Sequence, residues 1–183
     1  GFEIGAVDNK CTGRASTYSV LGLWPILSEL GIRGGKFVPE GYLFASYEQR
    51  LALLQGLMDT DGTISVQAGA QCSFTNKNRD LAEAVLFLAS SLGLRPSIRE
   101  GRATLNGKDC GPKWTVHFGA NGIPVFRLAR KLKHVADGVG RRGLRLRRIT
   151  GVEPVDTVPT QCITVDNDSH LYLVGKSLVP THN

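Results

Sequence analysis

Residues 54–62 read Leu54-Gln55-Gly56-Leu57-Met58-Asp59-Thr60-Asp61-Gly62. A helical apolar run ends here in two acids, and Gly62 lets the chain turn sharply after Asp61. Gly56 has no side chain and lets a second helix come close. The helix itself is expected over residues 46–58, with Ser46 as N-cap and Glu48 adding favourable charge to the first turn. Leu51, Leu53, Leu54, Leu57 and Met58 cover more than one face, the pattern of a helix buried against a partner. A carboxylate at Asp61 suits Mg²⁺, a hard cation that takes oxygen ligands and keeps several waters. Two such carboxylates, one from each of two packed helices, support metal-assisted phosphodiester cleavage. The same spacing also describes an ordinary helix end with acidic turn residues.

Working outward, residues 63–67 and 71–75 read as two strands joined by a turn at Ala68-Gly69-Ala70. Asn78 to Leu92 is a strong helix stopped by Gly93. Residues 95–100 and 113–119 read as strands, and Pro124 starts a further helix that runs to about Lys133. The order is helix, two strands, helix, two strands, helix. Upstream, Leu21, Leu27 and Leu30 give residues 18–31 helical spacing, with Pro25 as an expected kink and Gly31 as the stop. Residues 35–46 read as a loop because of Pro39.

This segment resembles the LAGLIDADG, or dodecapeptide, homing endonucleases. The resemblance covers the helix Leu51–Met58, the acids after it and the element order to about Lys133. Lys36-Phe37-Val38-Pro39 resembles the lead-in to a second motif copy. The resemblance implies that Asp61 is the catalytic, metal-binding acid and that Mg²⁺ is the cofactor of the nuclease. It implies a structural role for Asp59, and double-stranded DNA lying on the strands and the basic stretch. Such proteins use two motif copies, and this chain shows one.

Net charge is +6 over 183 residues. From Arg127 to Arg148 there are nine Lys or Arg and one acid, Asp137, about +8 in that stretch alone. Clustered positive charge fits phosphate binding with release of counterions. The candidate contacts are Arg127, Arg130, Lys131, Lys133, Arg141 and Arg142. A solvated basic helix and loop is the plainer reading. Cys11, Cys72, Cys110 and Cys162 form no CxxC pair, which argues against a zinc knuckle or a thioredoxin-type site. No apolar run approaches the roughly 20 residues that span a bilayer. With no signal peptide and no starting Met, the expectation is an excised or processed cytoplasmic chain without a membrane partner.

After Gly143 the composition changes. Arg147 to Val152, Gln161 to Val165 and Leu171 to Val174 are short β-branched segments. Pro159 and Asp166-Asn167-Asp168-Ser169 separate them as turn signals. The chain ends Thr181-His182-Asn183. An asparagine side-chain nitrogen can attack its own main-chain carbonyl carbon, close a succinimide and expel the next residue's amine. A neighbouring histidine suits protonation of that amine, since imidazole titrates near neutrality. Holding the groups together favours ring closure.

Residues 161–175 and 178–183 together resemble the last two sequence blocks of inteins, of the kind found in replicative DNA helicases of actinobacteria or phages. By that resemblance Asn183 is the cyclising residue, His182 its penultimate partner and His170 a second assisting histidine. Cys162 stands where many inteins carry Asp. With Thr181 it resembles inteins that use an internal Cys nucleophile and a Trp-Cys-Thr triplet. Cys162 then forms a branched thioester, chemistry suited to a thiolate. Read alone, it is a buried strand cysteine. Neither Trp24 nor Trp114 occupies the triplet's Trp position. Splicing needs no cofactor, and its partners are the N-terminal intein part and the flanking exteins.

The two resemblances imply an α+β chain. Residues 1–15 are irregular, 16–143 form a LAGLIDADG-type α/β half and 144–183 the all-β C-terminal part of a Hint splicing fold. The competing reading is a DNA endonuclease, or an inactive relic, in which the β tail is only scaffold.

Overall fold

The computed structural model describes residues 3–5, 18–32, 34–66, 70–137, 149–175 and 178–182. Helix α3, Tyr47–Thr60, follows three short elements: a pair of two-residue strands, β1 (Ile4–Gly5) with β2 (Ser19–Val20), then α1 (Leu23–Glu29) and α2 (Glu40–Leu43). Pro25 lies in the first turn of α1, where its missing N–H costs nothing, so it does not kink the helix. Residues 35–46 are not all loop: Pro39 is the N-cap of α2, a position its fixed φ suits.

Ser46 caps α3 as expected, through a capping box. The Gln49 backbone N–H donates to Ser46 Oγ at 3.3 Å, and the Ser46 N–H donates to Gln49 Oε1 at 3.1 Å. Strands β3 (Gly62–Ser65) and β4 (Gln71–Asn76) follow, then α4 (Arg79–Ser91), β5 (Ser97–Leu105), β6 (Lys108–Gly119) and α5 (Ala129–Asp137). This is the order the sequence implies, with two changes of extent. The hairpin strands β5 and β6 are longer because Asn106-Gly107 joins them with positive φ at both residues, the two-residue hairpin turn. Pro124 does not start α5, which begins at Ala129.

The four strands form one antiparallel sheet in the order β3-β4-β6-β5. Cys72 and Phe74 on β4 and Val116 and Phe118 on β6 point to one face. They pack with Leu54 and Met58 of α3 and with Ala82, Val85, Leu88 and Ala89 of α4. Asn78 caps α4 by accepting from the Asp80 and Leu81 N–H groups. At its other end Gly93 takes φ 82° and closes the cap, with the Leu94 N–H donating to Ala89 O.

The tail differs from its reading. Strand β7 (Leu171–Val174) pairs with β8 (Val179–His182), and residues 149–165 form no strand. The expected strands at 149–152 and 161–165 are therefore absent among the described residues, and Cys162 is exposed rather than buried in a strand. No helix of the described residues is long and apolar enough to cross a membrane.

Candidate functional site

The acidic turn is held by an exchange of contacts between two helix ends. Asp59, in the last turn of α3, accepts from the backbone N–H groups of Arg127 at 3.1 Å and Leu128 at 3.2 Å. It thereby satisfies donors just ahead of α5. Lys131 reaches back from α5. Its buried Nζ donates to Met58 O at 2.9 Å, Asp59 O at 2.8 Å and Gly62 O at 2.6 Å, capping the carbonyl end of α3. Burial holds its ammonium below the ordinary lysine range. Arg130 pushes the same way, against the opposing pull of Asp59 and Asp61. Gln55 is the third brace: its Nε2 donates to Pro124 O at 2.6 Å, and its Oε1 accepts from Arg127 Nε at 2.8 Å.

Asp61 is the C-cap of α3 and is exposed. Asn76, at the end of β4, donates from Nδ2 to Asp61 Oδ2 at 3.5 Å. Gly62 is required where it stands. A Cβ there would lie 2.6 Å from both Met58 O and Met58 Cε. The Asp-Gly pair is thus a carboxylate followed by the only residue that fits under the helix end. Among the described residues no three His, Cys, Asp or Glu side chains are grouped to hold a metal ion.

The predicted basic contacts separate into groups. Arg130 and Lys133 are exposed on α5. Arg127 is exposed, but its Nε is committed to Gln55. Lys131 is a correction. All three of its donors are spent on buried carbonyls, so it presents no ammonium to a phosphate. Arg141 and Arg142 lie outside the described residues.

The sheet face opposite the helices is polar. Alternation puts Gln71, Ser73 and Thr75 of β4 there, beside Lys113, Thr115 and His117 of β6. Thr75 and Thr115 share a hydrogen bond at 3.0 Å, as do Thr63 and Ser73 at 2.7 Å. The resemblance puts the strands on DNA, but the sequence alone singles out neither the residues of this face nor Gln55. The only polar side chain between Leu51 and Met58 was the available signal for Gln55. For His117 the signal was a histidine between two core residues, Val116 and Phe118.

The C-terminal hairpin makes a second site. In the turn before β7, Ser169 Oγ donates to Asn167 Oδ1 at 2.7 Å, and Asn167 Nδ2 donates to Leu171 O at 3.0 Å. That turn delivers His170 at φ 52°. The register sets Leu171 opposite His182, so the two histidines meet. Their rings are perpendicular with centroids 6.5 Å apart, and both line a cavity of about 180 Å³ with Ile163, Thr164 and Val165. Cys162 adjoins that lining in sequence. Thr181 Oγ1 donates to Val179 O at 3.3 Å. Asn183 lies outside the described residues.

Residues 48–118 match the family model of the LAGLIDADG-like domain. The replicative DNA helicase DnaB of Mycobacterium intracellulare is 39% identical over 161 residues, 86% of this chain and 27% of the helicase. DnaB of Mycobacterium leprae (strain TN) is 54% identical over 84 residues, 41% of this chain and 14% of that protein. The chain thus spans about a quarter or less of the curated relatives it matches. A solved structure of mesophilic variants from the homing endonuclease I-DmoI aligns with a TM-score of 0.40 and 16% identity, covering 75% of this chain and 62% of that one. Over residues 48–118 the chain is therefore similar to the LAGLIDADG-like domain.

Proposed function

We propose that the chain is the C-terminal part of an intein that interrupts a replicative DNA helicase, and that it performs asparagine cyclisation and C-terminal release. The observation that carries the reading is the meeting of His170 and His182 on one cavity, on the hairpin that leads into Asn183. Identity to DnaB of Mycobacterium intracellulare over most of this chain but a minor part of that protein's length supports an inserted element.

In this mechanism the Asn183 side-chain nitrogen attacks the Asn183 carbonyl carbon. The C–N bond to the following residue breaks, and the leaving amine takes a proton from an imidazole. His182, the adjacent residue, is the proton donor. His170, which lines the same cavity as His182, assists by polarising the scissile carbonyl. Cys162, exposed beside the cavity lining, is the nucleophile toward the upstream junction, where its thiolate displaces the amine to form the branched thioester. Thr181 completes the pattern as a marker of that internal-cysteine arrangement. The test is reconstitution of the upstream part and two reporter exteins. Asn183→Ala stops C-terminal release and Cys162→Ala stops N-terminal cleavage. Release that continues in Asn183→Ala contradicts the reading.

A second activity is favoured by Asp61, an exposed carboxylate at a braced helix end. We propose that residues 48–118 belong to a duplex-DNA endonuclease unit and that Asp61 contributes to its Mg²⁺ site. One carboxylate fits half of such a site, because Mg²⁺ keeps several waters and takes one or two acids. Bound there, the ion would supply charge neutralisation at the phosphodiester. This chain's own share is the rigid placement of Asp61 by Asn76, Lys131 and Asp59. Mg²⁺-dependent nicking of a DNA library that survives Asp61→Ala removes the residue from this role.

A further inference from the structure

We propose that Asn167 and Ser169 are positioning residues for C-terminal release, a role that rests on the cyclisation reading above. They hold His170 in a left-handed backbone conformation that aims its ring toward His182. His170 has φ 52°. A Cβ disfavours that region, and glycine or asparagine would fill it at lower cost. A turn by itself therefore does not call for an imidazole at this position. Strain of this kind persists only where surrounding contacts enforce it, and it gathers at functional sites.

The enforcing contacts enclose the residue from both sides. Ahead of it, the His170 N–H donates to Asn167 O at 3.0 Å. Beyond it, both backbone polar groups of Leu171 are engaged. Its N–H donates to Ser169 Oγ at 3.3 Å, and its carbonyl accepts from Asn167 Nδ2 at 3.0 Å. Ser169 Oγ donates in turn to Asn167 Oδ1 at 2.7 Å, so the two side chains close one network. Bonds on the peptide entering His170 and on the peptide leaving it fix its φ and ψ together. Those two angles aim the ring relative to β7 on one side and to the segment ahead on the other. That segment supplies Ile163, Thr164 and Val165 to the cavity that both histidines line. Leu171 is also the register partner of His182. The network thus fixes the backbone of one histidine and the strand residue that faces the other. The perpendicular rings, with centroids 6.5 Å apart, are the product of that arrangement.

The test is the rate of C-terminal release from the full chain, reconstituted with the upstream part and two reporter exteins, in a double-mutant cycle. Asn167→Ala and Ser169→Ala are each expected to slow release about tenfold, the effect of a misaimed group. Ser169→Thr keeps the hydroxyl and is expected to restore release to within about threefold of wild type. In a His170→Ala background, Asn167→Ala is expected to change the remaining rate by less than about twofold, because the network acts through the ring. N-terminal cleavage in the same samples reports the fold and is expected to fall by less than about twofold in Asn167→Ala. An undiminished release rate in Asn167→Ala overturns the proposal. So does an equal loss of N-terminal cleavage, or the same tenfold loss in the His170→Ala background, since each makes Asn167 a residue of the general fold. These outcomes leave the cyclisation reading in place. Release at the wild-type rate in His170→Ala removes that histidine from the mechanism and overturns both.

Discussion

At the scale of single residues, the ammonium of Lys131 closes the carbonyl end of α3, donating to Met58 O, Asp59 O and Gly62 O. Lys131 sits in a run of cations and reads as one more phosphate contact. The structure instead turns it inward, because the end of α3 presents three carbonyls that need a donor. Charge along a sequence does not distinguish a solvated lysine from a buried cap. Lys131→Met removes all three of these hydrogen bonds, and an expected loss of about 2–4 kcal/mol follows, measured by urea unfolding. Arg130→Ala and Lys133→Ala, both exposed, should stay within about 0.5 kcal/mol of wild type. Equal effects for all three would contradict the capping role. The cysteines separate in the same way. Burial pushes the Cys72 thiol up to about 12, whereas Cys162 is exposed. Brief alkylation near neutral pH, followed by peptide mass mapping, should modify Cys162 and spare Cys72 in the folded chain.

Among the elements, those with their own local signals were found, and those that depend on distant partners were misjudged. Ser46 and Asn78 announce helix starts through side chains that accept from the first turn, and Gly93 announces an end. α5 carries no such local cap. The N–H groups of Arg127 and Leu128, just ahead of it, are satisfied by Asp59, far back in the sequence, so Pro124 points to a start five residues early. Asn106-Gly107 was a strong hairpin signal passed over, and it explains why β5 and β6 extend well beyond the part of the sheet that β4 covers. Gly107 holds φ 78°, a region costly for L side chains. Gly107→Ala should therefore cost about 1 kcal/mol, read as a lowered Tm, while Gly41→Ala in α2 should not. The β-branched tail between residues 149 and 165 was read as strands from composition alone. A strand needs a neighbour for its N–H and C=O groups, and among the described residues of the tail only β7 and β8 find one.

For the whole molecule, the α+β order from α3 to α5 followed from periodicity, because the same alternation that marks Cys72, Phe74, Val116 and Phe118 also builds the core. The two proposed chemistries divide along the chain. A polar sheet face and an exposed acid lie within the helix-and-sheet unit, and paired histidines lie at the C-terminal hairpin. Neither pairing was visible as spacing. His170 and His182 are brought together by the register of β7 and β8, and Asp61 is fixed by contacts from α5 and β4. The central claim is cyclisation at Asn183, and its product has a distinctive end. The most direct measurement is the intact mass of the released chain after reconstitution with the upstream part and a C-terminal reporter. The expected terminus is one water lighter than free asparagine, formed in wild type and not in Asn183→Ala. A released chain that carries only the hydrolysed asparagine end from its first appearance, or equal release from Asn183→Ala, would contradict it.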